Sequence, residues 1–144
     1  MTAVRSRDTK PEMLVRCMLH KHGYRFRLHK KELPGTPDIV LPKHKAVIFI
    51  HGCFWHGHPG CKKSKLPTTR VEFWETKIQK NIDRDHTTRV ALLDMNWRVA
   101  IIWGCALSNK KITQATMQHL RCWLQTGAPR LEMPMPEAIL PVKD

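Results

Sequence analysis

Residues 46–61 read AVIFIHGCFWHGHPGC. The first five, Ala46-Val-Ile-Phe-Ile50, are apolar without a break. A half-exposed strand alternates apolar and polar residues. A run with no alternation suits a strand covered on both faces, the central strand of a sheet layered with helices. From His51 the character changes. His51, His56 and His58, with Cys53 and Cys61, stand among three glycines and the pair Phe54-Trp55. The central strand therefore empties into a loop rich in metal-ligand types, imidazoles and large rings, and chain segments at sheet ends are where sites are delivered.

Working outward, Asp38-Ile-Val-Leu41 reads as a short strand, and Pro42-Lys-His-Lys45 turns it back onto the central one. Tyr24, Phe26 and Leu28 alternate with Arg25, Arg27 and His29, a strand with one wet, basic face. Thr9-Lys-Pro-Glu12 is a helix start, with Thr9 as N-cap, Glu12 three positions on and Pro11 in the first turn. Met13, Leu14, Cys17 and Met18 are expected to form the inward face of that helix, which Gly23 ends. Thr69-Arg-Val-Glu72 has the form of a second capping box and opens a long helix to about Leu93, with Asn96 as its stop. Trp97–Trp103 is another strand, followed at once by Cys105, and a last helix covers about Lys110 to Gln125 before Gly127. Residues 1–8 are expected to be disordered. Residues 128–144 contain four prolines and are expected to form an irregular tail. The order α-β-β-β-α-β-α predicts an α/β (α+β) fold: a mixed central sheet flanked by helices in one domain, residues 1–127, with the Pro-rich tail 128–144 outside it.

The net charge is +13. The tail is slightly acidic, so the excess lies on the folded part rather than on a detachable basic arm, which suits a polyanionic partner such as nucleic acid. No run of residues is apolar enough to cross a membrane, and the first twelve residues are too polar for a signal peptide; a cytoplasmic location is expected. Five cysteines, an odd number, argue against a disulfide framework and for metal ligation by some of them. Cys17 and Cys122 fall in helical patterns and are expected to be buried and inert.

Cys53, His58 and Cys61, with Cys105 brought in by a neighbouring strand, form a thiolate–imidazole set suited to a tetrahedral structural Zn²⁺. On spacing alone His56 or His51 is an equal substitute for His58. Pro37-Asp38 at a strand mouth offers a carboxylate for Mg²⁺, as metal-assisted phosphodiester hydrolysis requires. His56 or His51 has an imidazole suited to activating water. Asp85, midway along the long helix, is placed either to orient such a histidine or to pair with Arg84 or Arg89. Glu12 is either a site carboxylate or half of its capping box. Phe54, Trp55 and Trp74 are placed either to stack on or wedge between bases or to cover the metal site; for Phe73 the covering role is preferred.

These segments resemble the very-short-patch repair (Vsr) endonucleases. The resemblance rests on TKPEMLVRCML (9–19), GTPDIV (35–40), VIFIHGCFWHGHPGC (47–61), PTTRVEFWETKIQKNIDRD (67–85) and WRVAIIWGCAL (97–107). It implies a fold like that of type II restriction endonucleases and a single-strand break 5′ to the thymine of a T:G mismatch, the product of 5-methylcytosine deamination. It further implies that Asp38 binds catalytic Mg²⁺, that His56 activates the water and Asp85 pairs with it, and that His51 and Glu12 belong to the active site. Cys53, His58, Cys61 and Cys105 then match the structural Zn²⁺ ligands, and Phe54, Trp55 and Trp74 the rings that intercalate beside the mismatch. Where restriction-type nucleases carry an acidic residue and a lysine, this chain has Phe49-Ile-His51, so the lysine's role is expected to fall to histidine. The loop before Cys61 is one residue longer than the family pattern. The expected partner is double-stranded DNA with a T:G mismatch, with mismatch-repair proteins as further candidates, for a monomer working at the bacterial nucleoid. Two other readings stand beside this one: a sequence-specific nicking endonuclease of the same fold, and a non-catalytic zinc-containing DNA-binding module.

Overall fold

The computed structural model describes residues 8–136. Its elements are α1 (Lys10–Lys21), β1 (Arg27–Leu28), β2 (Ile39–Leu41), β3 (Ala46–His51), α2 (Val71–Asp94), β4 (Arg98–Trp103), α3 (Lys110–Leu124) and β5 (Arg130–Met133). The five strands form one mixed sheet in the order β1-β2-β3-β4-β5. The first three pair antiparallel, while β4 runs parallel to β3 and β5 parallel to β4. β3 is central and almost wholly buried, as its unbroken apolar run requires.

Two apolar layers enclose the sheet. On one face Val15 and Leu19 of α1 and Met117, Leu120 and Trp123 of α3 pack on Ile39, Leu41, Ile48 and Ile102. On the other, Leu92 of α2 packs with Leu33, Val40, Val47, Phe49 and Val99. Of the twenty-four residues of α2 only Ile78 and Leu92 are buried. One holds the helix to the 51–61 loop and the other to the sheet, and the intervening basic surface stays in solvent.

Several expectations change. α1 buries Glu12, Val15, Arg16 and Leu19, while Met13 and Leu14 are exposed. The inward stripe has helical spacing but includes two charged residues, which an apolar-face reading discounts. Cys17 and Cys122 therefore lie exposed on the outer sides of their helices. Thr9 does cap α1, its side chain accepting from the Glu12 N–H. Thr69 does not cap α2: Arg70 holds the N-cap position in the left-handed region (φ 53°), with no side-chain cap, and its guanidinium lies 4.4 Å over the Phe73 ring. The strand read at Tyr24–His29 shortens to Arg27–Leu28. Asn109, unread in the sequence, caps α3 by accepting from the Ile112 N–H. Asn96, at φ 66°, does end α2.

The expected irregular tail contains β5. Pro129 and Pro134 bracket Arg130–Met133 without interrupting it, so all four N–H groups remain available to a ladder. Met133 is buried and Leu131 packs on the core, which draws this segment to the β4 edge. The expected disorder of the first residues falls outside the described ones, apart from Asp8.

Candidate active site and metal centre

The antiparallel β2–β3 pair sets Asp38, just before β2, beside the end of β3. The Asp38 Oδ2 accepts the Ile50 N–H at 2.7 Å. The parallel β3–β4 pair sets His51 opposite Trp103, so Cys105 emerges next to the loop that leaves β3. One end of the sheet thus presents a cleft of about 1030 Å³, lined among others by Glu12, Asp38, His51, His56 and Asp85.

His56 Nδ1 lies 2.6 Å from Asp85 Oδ2. Asp85 thus meets His56, and neither Arg84 nor Arg89 is its ion-pair partner among the described residues. Burial alone would raise the Asp85 carboxyl; the hydrogen bond to His56, together with the neighbouring imidazoles and Arg84, holds it below its ordinary range. A carboxylate on Nδ1 directs the proton to that nitrogen and leaves Nε2 as the acceptor. His51 stacks flat on His56, ring centres 3.9 Å apart and planes 2° from parallel. Burial, then the charge of His56, pushes His51 down to about 3. Burial thus favours the neutral form of the His51 ring.

The carboxylates lie across the cleft. Burial and the neighbouring Glu12 push Asp38 up to about 7, despite the Ile50 N–H. Glu12 is buried, and its charge bears on Asp38 across the cleft. Its Oε2 accepts from the Asp8 N–H at 3.1 Å and from Arg16 at 2.9 Å, and His29 Nε2 stands 3.1 Å away. Glu12 is thus more than half of a capping box. Arg16 offsets the Glu12 charge, while the Asp38 carboxylate has only the His29 imidazole beside it among the described ion pairs; a divalent cation fits the remaining demand for positive charge.

The second cluster lies behind the His56 loop. Ligand atoms of Cys53, His58, Cys61 and Cys105 fall within 4.8 Å of one another. Ligands about 2.3 Å from a tetrahedral Zn²⁺ stand roughly 3.5–3.8 Å apart, and Cys105 Sγ is 3.5 Å from His58 Nδ1. Burial, then Cys53 and Cys61, pushes the Cys105 thiol up to about 12. Three thiols this close resist joint ionisation unless a cation joins them, so the donor set fits zinc. Of the loop's three histidines, His58 is the one placed with the sulfurs, despite the extra residue; His51 and His56 face the cleft. The loop is tightly wound. The His58 N–H donates to Cys53 O at 2.9 Å, and Ser64 Oγ reaches the carbonyls of His58 and Cys61, both at 2.7 Å. Gly57 (φ 62°) presses on α2, where a Cβ would stand 2.7 Å from Ile78 and 2.8 Å from Ile82.

Trp103 joins the two clusters. Its ring stacks on His58 at 4.1 Å and 9°, and stands edge-on to His51 at 5.2 Å. The indole N–H donates to Glu132 of β5 at 2.8 Å. At the rim, Phe54, Trp55 and Trp74 form a half-buried triad with ring centres 5.2–5.8 Å apart. Asn81 of α2 donates to the Trp55 carbonyl at 2.8 Å. Phe73 is 45% exposed and meets Trp74 and Arg70. His29, Arg16, Asn81 and Trp103 were not singled out in the sequence. The one signal was a histidine on the wet face of an otherwise Arg-bearing strand.

A carboxylate pair, a His–Asp pair and a basic helix around one cleft are the parts a phosphodiester-cleaving site requires. Residues 1–63 match the family model described as DNA mismatch endonuclease Vsr. The chain is similar to the Type II nicking enzyme V.XorIIP of Xanthomonas oryzae pv. oryzae, 50% identical over 120 residues that cover 83% of this chain and 88% of that protein. It is also similar to the DNA mismatch endonuclease Vsr of Escherichia coli, 43% identical over 126 residues, 86% of this chain and 80% of that one. The Type II nicking enzyme V.NmeAIP of Neisseria meningitidis is 43% identical over 120 residues, 83% and 85% of the two chains. The chain belongs to the Vsr endonuclease family. No helix among the described residues is long and apolar enough to cross a membrane.

Proposed function

We propose that this protein is a Mg²⁺-dependent DNA endonuclease that nicks one strand of a duplex 5′ to the thymine of a T:G mismatch. The observation that carries this reading is the meeting of Asp38 and the His56–Asp85 pair in one cleft, with the aromatic triad at its rim. Asp38 and Glu12 would hold the cation, which would supply charge neutralisation for phosphodiester hydrolysis. His56 takes the proton of the attacking water on Nε2 as the bond from phosphorus to the 3′ oxygen breaks and that oxygen takes up a proton from solvent; Asp85 keeps the ring in the required tautomer, and His51 fixes its plane. Lys77, Lys80 and Arg84 on the exposed face of α2 meet backbone phosphates. Phe54, Trp55 and Trp74 insert beside the mispair, whose weaker stacking lowers the cost of opening the step. Cys53, His58, Cys61 and Cys105 hold a structural Zn²⁺ that stiffens the loop. The mixed sheet with a carboxylate at the mouth of its second strand suits the restriction-endonuclease-like fold.

The test is Mg²⁺-dependent nicking of matched T:G and C:G duplexes by wild type, Asp38→Ala and His56→Ala. Cleavage by Asp38→Ala at the wild-type rate refutes the mechanism. The similarity to V.XorIIP, a nicking enzyme by name, favours a second reading: sequence-specific nicking of intact duplex. Equal rates on T:G and C:G would establish that reading instead.

A further inference from the structure

We propose that His29 is a positioning residue: it ties Glu12 to the sheet beside Asp38 and so sets the spacing at which the carboxylate pair takes its cation. This rests on the reading of Glu12 and Asp38 as the cation-binding pair.

Three observations meet at His29. Its Nε2 stands 3.1 Å from Glu12 Oε2 and 3.9 Å from Asp38 Oδ1, with the side chain only 9% exposed. Its N–H donates to the Asp38 carbonyl at 3.4 Å, so the residue meets Glu12 by its ring and Asp38 by its backbone as well. Its φ is 46°, in the left-handed region that a residue with a Cβ rarely adopts, and such backbone persists only where the surroundings hold it.

Charge compensation alone does not require this arrangement. Arg16 already donates to Glu12 Oε2, and so does the Asp8 N–H. Both, however, lie within or next to α1 and fix Glu12 to its own helix. Among the described hydrogen bonds of Glu12, the one to His29 crosses to the strands that carry Asp38. Without it, helix and sheet set the two carboxylates independently, and their mutual repulsion favours separation. Residues behind metal ligands act in this way, and their loss costs about 10–100-fold in metal affinity.

The experiment compares full-length wild type, His29→Ala, His29→Gln and Asp38→Asn. Mn²⁺ binding without DNA is measured by electron paramagnetic resonance of the free ion, and nicking is followed against Mg²⁺ concentration. His29→Ala is expected to weaken Mn²⁺ binding by about tenfold and raise half-saturating Mg²⁺ by the same factor. His29→Gln, whose Nε2 can reach Glu12 from a similar place, is expected to stay within about threefold of wild type. A folded His29→Ala with wild-type Mn²⁺ affinity, when Asp38→Asn has lost it, overturns the role of His29 alone. Wild-type affinity in both variants overturns the carboxylate pair as the cation site. If His29→Ala fails to fold, His29→Leu, which fills the ring's place without a donor for Glu12, decides: a roughly tenfold loss of Mn²⁺ affinity in the folded protein supports the role, and wild-type affinity refutes it.

Discussion

Asp38→Asn is expected to make the protein more stable while abolishing nicking, and the gain is expected to grow with pH. Burial and Glu12 lift the Asp38 carboxyl from its ordinary value near 3.8 to about 7. Each tenfold change in an ionisation constant is about 1.4 kcal/mol, so the ionised carboxylate costs the folded state about 4 kcal/mol above pH 7. The group binds its proton more tightly folded than unfolded. Its stabilising share is complete below about pH 4 and is lost as pH rises towards 7. Asparagine keeps an oxygen for the Ile50 N–H and does not titrate. The variant's advantage is therefore about 2 kcal/mol at pH 5 and about 4 kcal/mol at pH 8, and the difference of about 2–3 kcal/mol is free of any constant offset from the substitution. Urea denaturation of both proteins at the two pH values, without added Mg²⁺, measures it. Added Mg²⁺ should close the gap by stabilising wild type alone. A variant less stable than wild type at pH 8, or an advantage that does not grow with pH, refutes the reasoning.

Asp85→Asn removes the carboxylate 2.6 Å from His56 Nδ1 and is expected to lower single-turnover nicking roughly 10²–10⁴-fold with DNA affinity unchanged; a wild-type rate would remove Asp85 from the mechanism. Cys105→Ser is expected to abolish zinc recovered in elemental analysis and to lower the thermal midpoint by roughly 10 °C. Undiminished zinc content would place the ion elsewhere. Trp74→Ala takes a ring from the rim triad and is expected to weaken binding to a T:G duplex roughly 5–100-fold, from about 1–3 kcal/mol of stacking. Equal affinity in a fluorescence-anisotropy titration would show that the ring does not meet the bases.

The central strand was legible because burial on both faces leaves a composition, an apolar run without alternation, that little else produces. The 51–61 loop was legible because its residue types are costly to place without a task. What the sequence hid are features set by packing at a distance. The inward face of α1 is partly ionic, so its apolar pattern pointed to Met13 and Leu14 instead. Nothing local marks Thr69 as idle, since its capping partner is displaced by the left-handed turn at Arg70. β5 was obscured by its flanking prolines, which mark its ends rather than its absence. Spacing left His51, His56 and His58 equal as zinc ligands, because choosing among them requires the fold that brings Cys105 alongside. His29 meets Glu12 across seventeen positions, a pairing that no window of residues displays.

Trp103 has a consequence for how such a protein can change over generations. One face of its indole rests on His58, its ring stands edge-on to His51, and its N–H is tied to Glu132. A substitution at this position is felt by both clusters at once, so a variant that improves the fit to one is tested immediately against the other. The rim rings Phe54, Trp55 and Trp74 do not touch this indole among the described ring contacts. The rim can therefore vary while the two clusters behind it stay joined by a single shared side chain.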